Sequence, residues 1–294
     1  MKEAFSTKIE QQEEELEVEV FLKFFRHGPR ETTPDIPDKH IEITEEGRRR
    51  AREIGEKHGS DASISVAFGS DRDRTKETAA HIMLARQKEI SPNANLKEME
   101  EKIEEFTPFK KITEDHRLSF YLNGATGLEL KNAFKADQYL SVLINKSDDL
   151  AIEDGDKDTT TYIRQAGNIA EILAKYLKVA DNMYRSRVKS EKNDDNLTNK
   201  LERYLGTHQS VCESFIAKCL EKISGSKVRD EFVESVGNGF KELEGMDVTI
   251  KQGVDGKKIV ITYPMGNKKE ALSIDEELLL DIIKERKEYE KNFK

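Results

Sequence analysis

The sequence predicts an α/β fold. The expected form is a three-layer sandwich whose mostly parallel central sheet is covered by helices, with a helical insertion and a C-terminal β-hairpin and helix. Three observations predict it. The first ninety residues alternate strand, loop, helix, strand, loop, helix; a further apolar strand runs directly into a helix at 201–223; and a turn signal near the C-terminus separates two alternating runs. Alternation of strands with helix-period segments is what a parallel sheet with covering helices produces.

Residues 1–16 are polar and rich in glutamate, and are expected to form a flexible arm ahead of a single domain over 17–294. Val18 to Phe25 is dense in β-branched and aromatic residues and stops at Arg26, which marks a strand buried on both faces. Three prolines between Pro29 and Pro37 make the following segment a loop. Thr44 is placed to cap a helix reaching Lys57. Ile64 to Phe68 is a second strand, broken at Gly69-Ser70, and a helix follows from about Thr75 to Gln87.

The segment from about 106 to 200 carries helix-period apolar residues over Gly127 to Ile144 and Thr159 to Val179, and reads as the helical insertion. Leu201 to Gly206 is the third strand, with Thr207-His208 directly after it and a helix over Ser210 to Ile223. Val248–Lys251 and Lys258–Tyr263 flank Asp255-Gly256 as a β-hairpin. A final helix covers about Ile274 to Tyr289.

Composition narrows the function classes. Charged residues and hydrophobic residues each make up 36 % of the chain, and the formal net charge is −9. An acidic surface repels phosphate polymers, which argues against nucleic acid and anionic membranes as partners. No stretch approaches a membrane-spanning length and the N-terminus carries no apolar signal region, so a cytoplasmic location is expected. Cys212 and Cys219 lie seven apart on one expected helix, a rise of roughly 10 Å that no disulfide bridges. His208 with Cys212 has ligand-like spacing, but two ligands do not make a metal site, and neither metal nor cofactor is expected.

Chemistry concentrates at three strand ends: Arg26-His27-Gly28-Pro29-Arg30, Ser70-Asp71-Arg72-Asp73-Arg74, and Gly206-Thr207-His208. In open α/β sheets ligands sit beyond the carboxyl ends of the strands. Arginine suits phosphoryl oxygens because its planar fork donates parallel hydrogen bonds and keeps its charge. A neutral histidine nitrogen suits nucleophilic attack at physiological pH. Gly28 lets the backbone lie close to a ligand. The Arg48-Arg49-Arg50-Ala51-Arg52 run reads as a solvated helix face, Asp71 and Asp73 as cap and loop residues, and His40, His58, His81 and His116 as structural or surface histidines.

Together these segments resemble the histidine phosphatase superfamily, whose fold is that of phosphoglycerate mutase. The matching features, in order, are Arg26-His27-Gly28, the helix start Ile43-Thr44-Glu45-Glu46-Gly47, the Ser70 to Ala79 segment with Arg74, Thr78 and Ala79, and Thr207-His208. The resemblance covers roughly 18–90 and 160–223. It implies that His27 is the nucleophile that becomes phosphohistidine. It further implies that Arg26 and Arg74 bind the phosphoryl group, with His208 as the pocket's second histidine, and that Arg30 supplies a further arginine. Leu96-Lys97-Glu98 fits the segment that carries the proton donor in the mutase-like branch, which makes Glu98, or a neighbouring glutamate, the expected general acid. The family's glycine-aromatic continuation is replaced here by Met99-Glu100-Glu101-Lys102, and Gln209 stands where the acid-phosphatase branch has an aspartate.

The resulting expectation is a metal-independent phosphomonoesterase acting on a small phosphorylated metabolite or a phosphoprotein, with protonated His208 among the groups that hold the phosphoryl oxygens. Two alternatives stand beside it. A phosphoglycerate mutase shares the chemistry, although Pro29-Arg30 and the absence of tryptophan depart from the mutase pattern. A non-catalytic phospho-ligand or protein-binding module would keep the pocket without turnover.

Overall fold

A computed structural model describes residues 17–32, 34–58, 65–106, 110–190 and 198–293. The expected arm over 1–16, the start of the second strand at Ile64 and most of the polar loop at 189–196 lie outside these residues. The strands are β1 (Val18–Arg26), β2 (Ser65–Gly69), β3 (Lys110–Glu114), β4 (Lys200–Thr207), β5 (Gly245–Gly253), β6 (Gly256–Met265) and β7 (Lys268–Ile274). Among the described residues the helices are α1 (Glu45–His58), α2 (Asp73–Met83), α3 (Leu96–Phe106), α4 (Gly124–Lys135), α5 (Tyr139–Asp154), α6 (Tyr162–Lys189), α7 (Val211–Ser224), α8 (Ser226–Val236) and α9 (Glu276–Tyr289).

One seven-stranded sheet has the order β3-β2-β4-β1-β5-β6-β7. β3, β2, β4 and β1 run parallel, whereas β1–β5, β5–β6 and β6–β7 are antiparallel pairs. The sheet is therefore mixed, not mostly parallel. The cause lies in the connections: Val254-Asp255 joins β5 to β6, and Gly266-Asn267 joins β6 to β7. A two-residue loop can only reverse the chain, while parallel neighbours need a long crossover. The expected hairpin is present, extended by β7, whose mostly exposed residues give little hydrophobic signal.

Side chains alternate across the strands and divide the core. Val20, Leu22, Phe24 and Leu205 belong to a cluster with α6, α7 and α9. Phe25, Ala67 and Tyr204 belong to a second cluster with Ala51 of α1, Ala79 and Ile82 of α2, and Met99 of α3. Helices thus line both faces. The segment expected to be wholly helical contains β3, which extends the sheet beside β2. It also contributes Tyr139, Leu143, Ile169 and Leu173 to the larger cluster.

Thr44 caps α1 as its position predicts: its hydroxyl accepts the Gly47 N–H at 3.0 Å. The arginine run behind it is less solvated than expected. Arg49 is exposed between Glu46 and Glu53, but Arg48 pairs with buried Glu77 at 2.6 Å. Arg52 turns inward to His81 and to the Ile90 and Ser91 carbonyls. His81 is a buried structural histidine, while His40 and His116 sit at the surface beside Asp73 and Glu114. His58 ends α1, and its side chain lies outside what the structure describes.

Candidate active site

Register brings the three strand ends together. Arg26 pairs with Thr207 across β1 and β4, so His27 and His208 emerge side by side one residue later. Phe68 pairs with Leu205 across β2 and β4, which places Ser70 level with Thr207. The connection is tied down by the His27 N–H, which donates to the Thr207 carbonyl at 2.9 Å. The rings of His27 and His208 meet edge to face with centroids 5.4 Å apart, and Phe120 lies 6.1 Å from the His208 ring.

Hydrogen bonding assigns both imidazoles. His27 Nδ1 lies 2.8 Å from the Gly28 carbonyl, which can only accept, so Nδ1 carries the proton and Nε2 keeps its lone pair. Burial, together with Arg74, Arg26 and Arg30, pushes the His27 pKa down to about 3. At His208 the logic runs through two hydroxyls. Thr75 Oγ1 donates to the Arg72 carbonyl at 2.7 Å, so Ser70 Oγ must be the donor in its 3.0 Å contact with Thr75. Ser70 then has no hydrogen left for His208 Nε2 at 2.9 Å, and Nε2 is the donor there. Burial, His27 and the neighbouring arginines hold the His208 pKa well below its ordinary value. With Nε2 as the donor, a neutral ring keeps its lone pair on Nδ1.

Four guanidinium groups surround these rings. Arg26 is held by the Phe240 carbonyl at 2.7 Å, and Glu213, buried behind it, accepts the Phe240 N–H at 2.6 Å. Arg74 is buried, and burial with Arg30 nearby lowers its pKa to about 10. The Nε atoms of Arg26, Arg72 and Arg74 are buried without a hydrogen-bond partner. Excess buried positive charge of this kind is costly unless an anion accompanies it. A carboxylate is present: Asp38, on a short 3-10 turn (Asp38–His40), contacts Arg30 at 2.8 Å, Arg74 at 3.2 Å, and Arg72.

The sequence-selected residues do not all converge. Arg26, His27, Arg74 and His208 lie close together, and Arg30 stands exposed nearby beside Asp38. Glu98 is exposed at the start of α3 and engaged in capping: it accepts the Asn95 N–H at 3.0 Å while its own N–H donates to Asn95 Oδ1. That use of the side chain ties it to the helix end, not to the histidines. Gly28 faces protein and not a ligand space. A Cβ there would meet Leu243, Gly47 and Ile43 at 3.4–3.6 Å. Sequence reasoning missed Arg72, Asp38 and Glu213. Arg72 lay within a quoted segment, but nothing in the sequence announces that a proline-rich loop folds back to set Asp38 among three arginines.

The histidines also set a stability profile. His27 and His81 have folded pKa values near 3, below the unfolded value of 6.5. Between pH 6.5 and 3 the unfolded chain binds the extra protons, so stability is complete above 6.5 and falls as pH falls through that window. The slope reaches on the order of 1 kcal/mol per pH unit for each group. Glu77, raised to about 7 by burial, opposes this between its unfolded value and 7. Urea melts at pH 7, 6 and 5 are expected to show a falling midpoint; a flat or rising one contradicts the assignment.

Among the described residues, no group of three or more His, Cys, Asp or Glu side chains is arranged to hold a metal ion, and no helix is long and apolar enough to cross a membrane. No curated protein matches the chain. Solved structures similar to it include a mycobacterial glucosyl-3-phosphoglycerate phosphatase, at 14 % identity over 81 % of this chain and 91 % of that one with a TM-score of 0.42. A second, mycobacterial hydrolase 2, has 11 % identity over 92 % and 98 % with a TM-score of 0.46. A phosphoglycerate mutase from Bacillus anthracis has 14 % identity over 92 % and 99 % with a TM-score of 0.41. Residues 22–126, which carry Arg26, His27 and Arg74, match the family model of the histidine phosphatase superfamily, branch 1, and that is the family the sequence resembles.

Proposed function

We propose that the chain is a phosphomonoesterase that works through a phosphohistidine at His27 on a small phosphorylated metabolite or a phosphoprotein. The observation that carries this reading is an imidazole whose Nδ1 is held by the Gly28 carbonyl, close to guanidiniums whose buried Nε atoms lack partners. A lone pair on Nε2 is available for in-line attack on phosphorus, and Arg26 and Arg74 neutralise the equatorial oxygens. In a water-poor pocket those charges act with little screening.

His208 gains its proton with the substrate. Its Nε2–H is engaged by Ser70, so Nδ1 must be protonated to donate to a phosphoryl oxygen. A phosphate dianion supplies the negative charge that offsets burial and the arginines. Water then attacks the phosphohistidine and returns the electron pair of the N–P bond to His27. The test is a rapid acid-free quench of protein mixed with a 32P-labelled phosphomonoester. One alkali-stable, acid-labile phosphoryl group per chain is expected. Turnover without any such label would remove the covalent step.

A further inference from the structure

The reading above leaves the leaving group without a proton donor, because Glu98 is engaged in capping. Most of the other carboxylates around the pocket are committed to partners of their own. Glu213 is buried behind Arg26 with its oxygen on the Phe240 N–H. Glu77 is buried on Arg48 and the Ile43 N–H. Asp73 holds Lys76 at 2.8 Å and His40 at 2.9 Å. Asp71 faces the Tyr121 hydroxyl with one oxygen, while its Oδ1 is buried without a hydrogen-bond partner, and among the described residues it touches no guanidinium by ion pair. Glu242 influences Arg26 through space only, and Glu244 accepts the Lys241 N–H.

Asp38 differs from all of these. Among the described residues it is the carboxylate in direct contact with the guanidiniums of the pocket, reaching Arg30, Arg72 and Arg74 at once. Its side chain is 44 % exposed, so solvent and a leaving group can reach it. The turn that carries it is held in place by Arg74, which donates to the Asp38 carbonyl at 2.8 Å, and by the neighbouring His40–Asp73 contact. The carboxyl group thus rests on Arg74, the arginine that the reading above assigns to the phosphoryl group.

We infer that Asp38 is the acid–base catalyst of the reaction, placed against the guanidiniums of the pocket as the group that donates and retrieves the proton. This assignment rests on the phosphohistidine reading. When a phosphate dianion takes over Arg74, Asp38 loses one of its three guanidiniums and gains like charge beside it, which shifts the carboxyl toward its protonated form, while Arg30 and Arg72 keep it in place. His27 Nε2 forms the N–P bond as the ester P–O bond breaks. The Asp38 carboxyl passes its proton to the departing alkoxide, giving the alcohol and the Asp38 carboxylate. In the second step that carboxylate takes a proton from the attacking water, the new P–O bond forms, and the N–P electron pair returns to His27. Ester and water give alcohol and phosphate with no net proton.

Leaving-group dependence tests this directly. An alkyl phosphate needs the proton, whereas p-nitrophenolate leaves well without it. Asp38→Asn is expected to lower kcat for glycerol phosphate by about 10²- to 10³-fold and for p-nitrophenyl phosphate by less than tenfold. Asp38→Glu should recover part of the alkyl-ester rate. Exposure of the site makes a folding defect easy to separate, by thermal melting of each variant. Equal losses on both esters, or a gain on both through removal of a competing anion, would overturn the role. If the wild-type protein forms no labelled phosphoenzyme at all, the parent reading fails first and this assignment falls with it.

Discussion

Replacing His27 with alanine is expected to reduce kcat for p-nitrophenyl phosphate on the order of 10⁵-fold while leaving binding of inorganic phosphate within about tenfold of wild type. The separation follows from the division of labour in the pocket. In the proposed mechanism the imidazole supplies the electron pair, and the guanidiniums of Arg26 and Arg74 supply the charge that holds the anion. Alanine removes the first and leaves the second. Loss of the ring also removes the Nδ1 contact to the Gly28 carbonyl, but the backbone there stays anchored by the Gly28 N–H on Thr78 Oγ1 at 3.1 Å and the His27 N–H on the Thr207 carbonyl. The variant should therefore fold, and its melting temperature reports whether it does. Isothermal titration with phosphate beside steady-state kinetics makes the measurement. Retained turnover would remove His27 as nucleophile, and lost turnover with lost phosphate binding would mean that the ring is part of the binding framework.

Much of this site was legible because its parts follow strands with strong local signals. Val18 to Phe25 is a run dense in apolar residues that ends abruptly at Arg26, and Leu201 to Gly206 leads straight into Thr207-His208 and a helix. A residue placed just beyond such a strand falls at the ligand-binding edge of a parallel sheet. The antiparallel half was legible only in part. β6 carries alternating buried residues, but β7 is an edge strand of mostly exposed residues, and β3, with no fully buried residue, has an equally faint pattern. Edge strands bury little, so they leave little periodicity to read. Glu98, which sits in a helix cap, was hard to read for a different reason. A spacing in sequence can be satisfied by a helix cap as well as by a catalytic acid, and the Asn95–Glu98 pair forms the cap. Asp38 was out of reach because its partners Arg72 and Arg74 lie more than thirty positions away, on the far side of α1 and β2. Arginine charge neutralised across such a distance leaves no local trace.

Among the site's glycines, the one at 206 is expected to be the least replaceable, more so than Gly28 of the motif that first marks the pocket. A Cβ on Gly206 would lie 1.9 Å from the Thr75 carbonyl oxygen, a backbone atom at the start of α2. Neither partner can turn aside: Gly206 is paired within the parallel sheet opposite Phe25, and Thr75 is fixed by its bonds to Ser70 and the Arg72 carbonyl. Gly206→Ala must push α2 outward, at a cost of about 3 kcal/mol or more, roughly 5–10 °C in melting temperature. The same displacement carries Arg74 away from the histidines and parts Ser70 from His208, so phosphate affinity and turnover fall together. Gly28→Ala meets only ordinary contacts at 3.4–3.6 Å and needs no left-handed backbone, so its cost should stay near 1 kcal/mol. Melting both variants and titrating each with phosphate compares them. A tolerant Gly206 beside an intolerant Gly28 would mean that α2 yields more readily than the sheet packing implies, and that the motif glycine is needed for the ligand after all. The expected order instead places the constraint where helix meets strand, since the close approach of α2 to β4 is what brings Arg74 and Ser70 up to the two histidines.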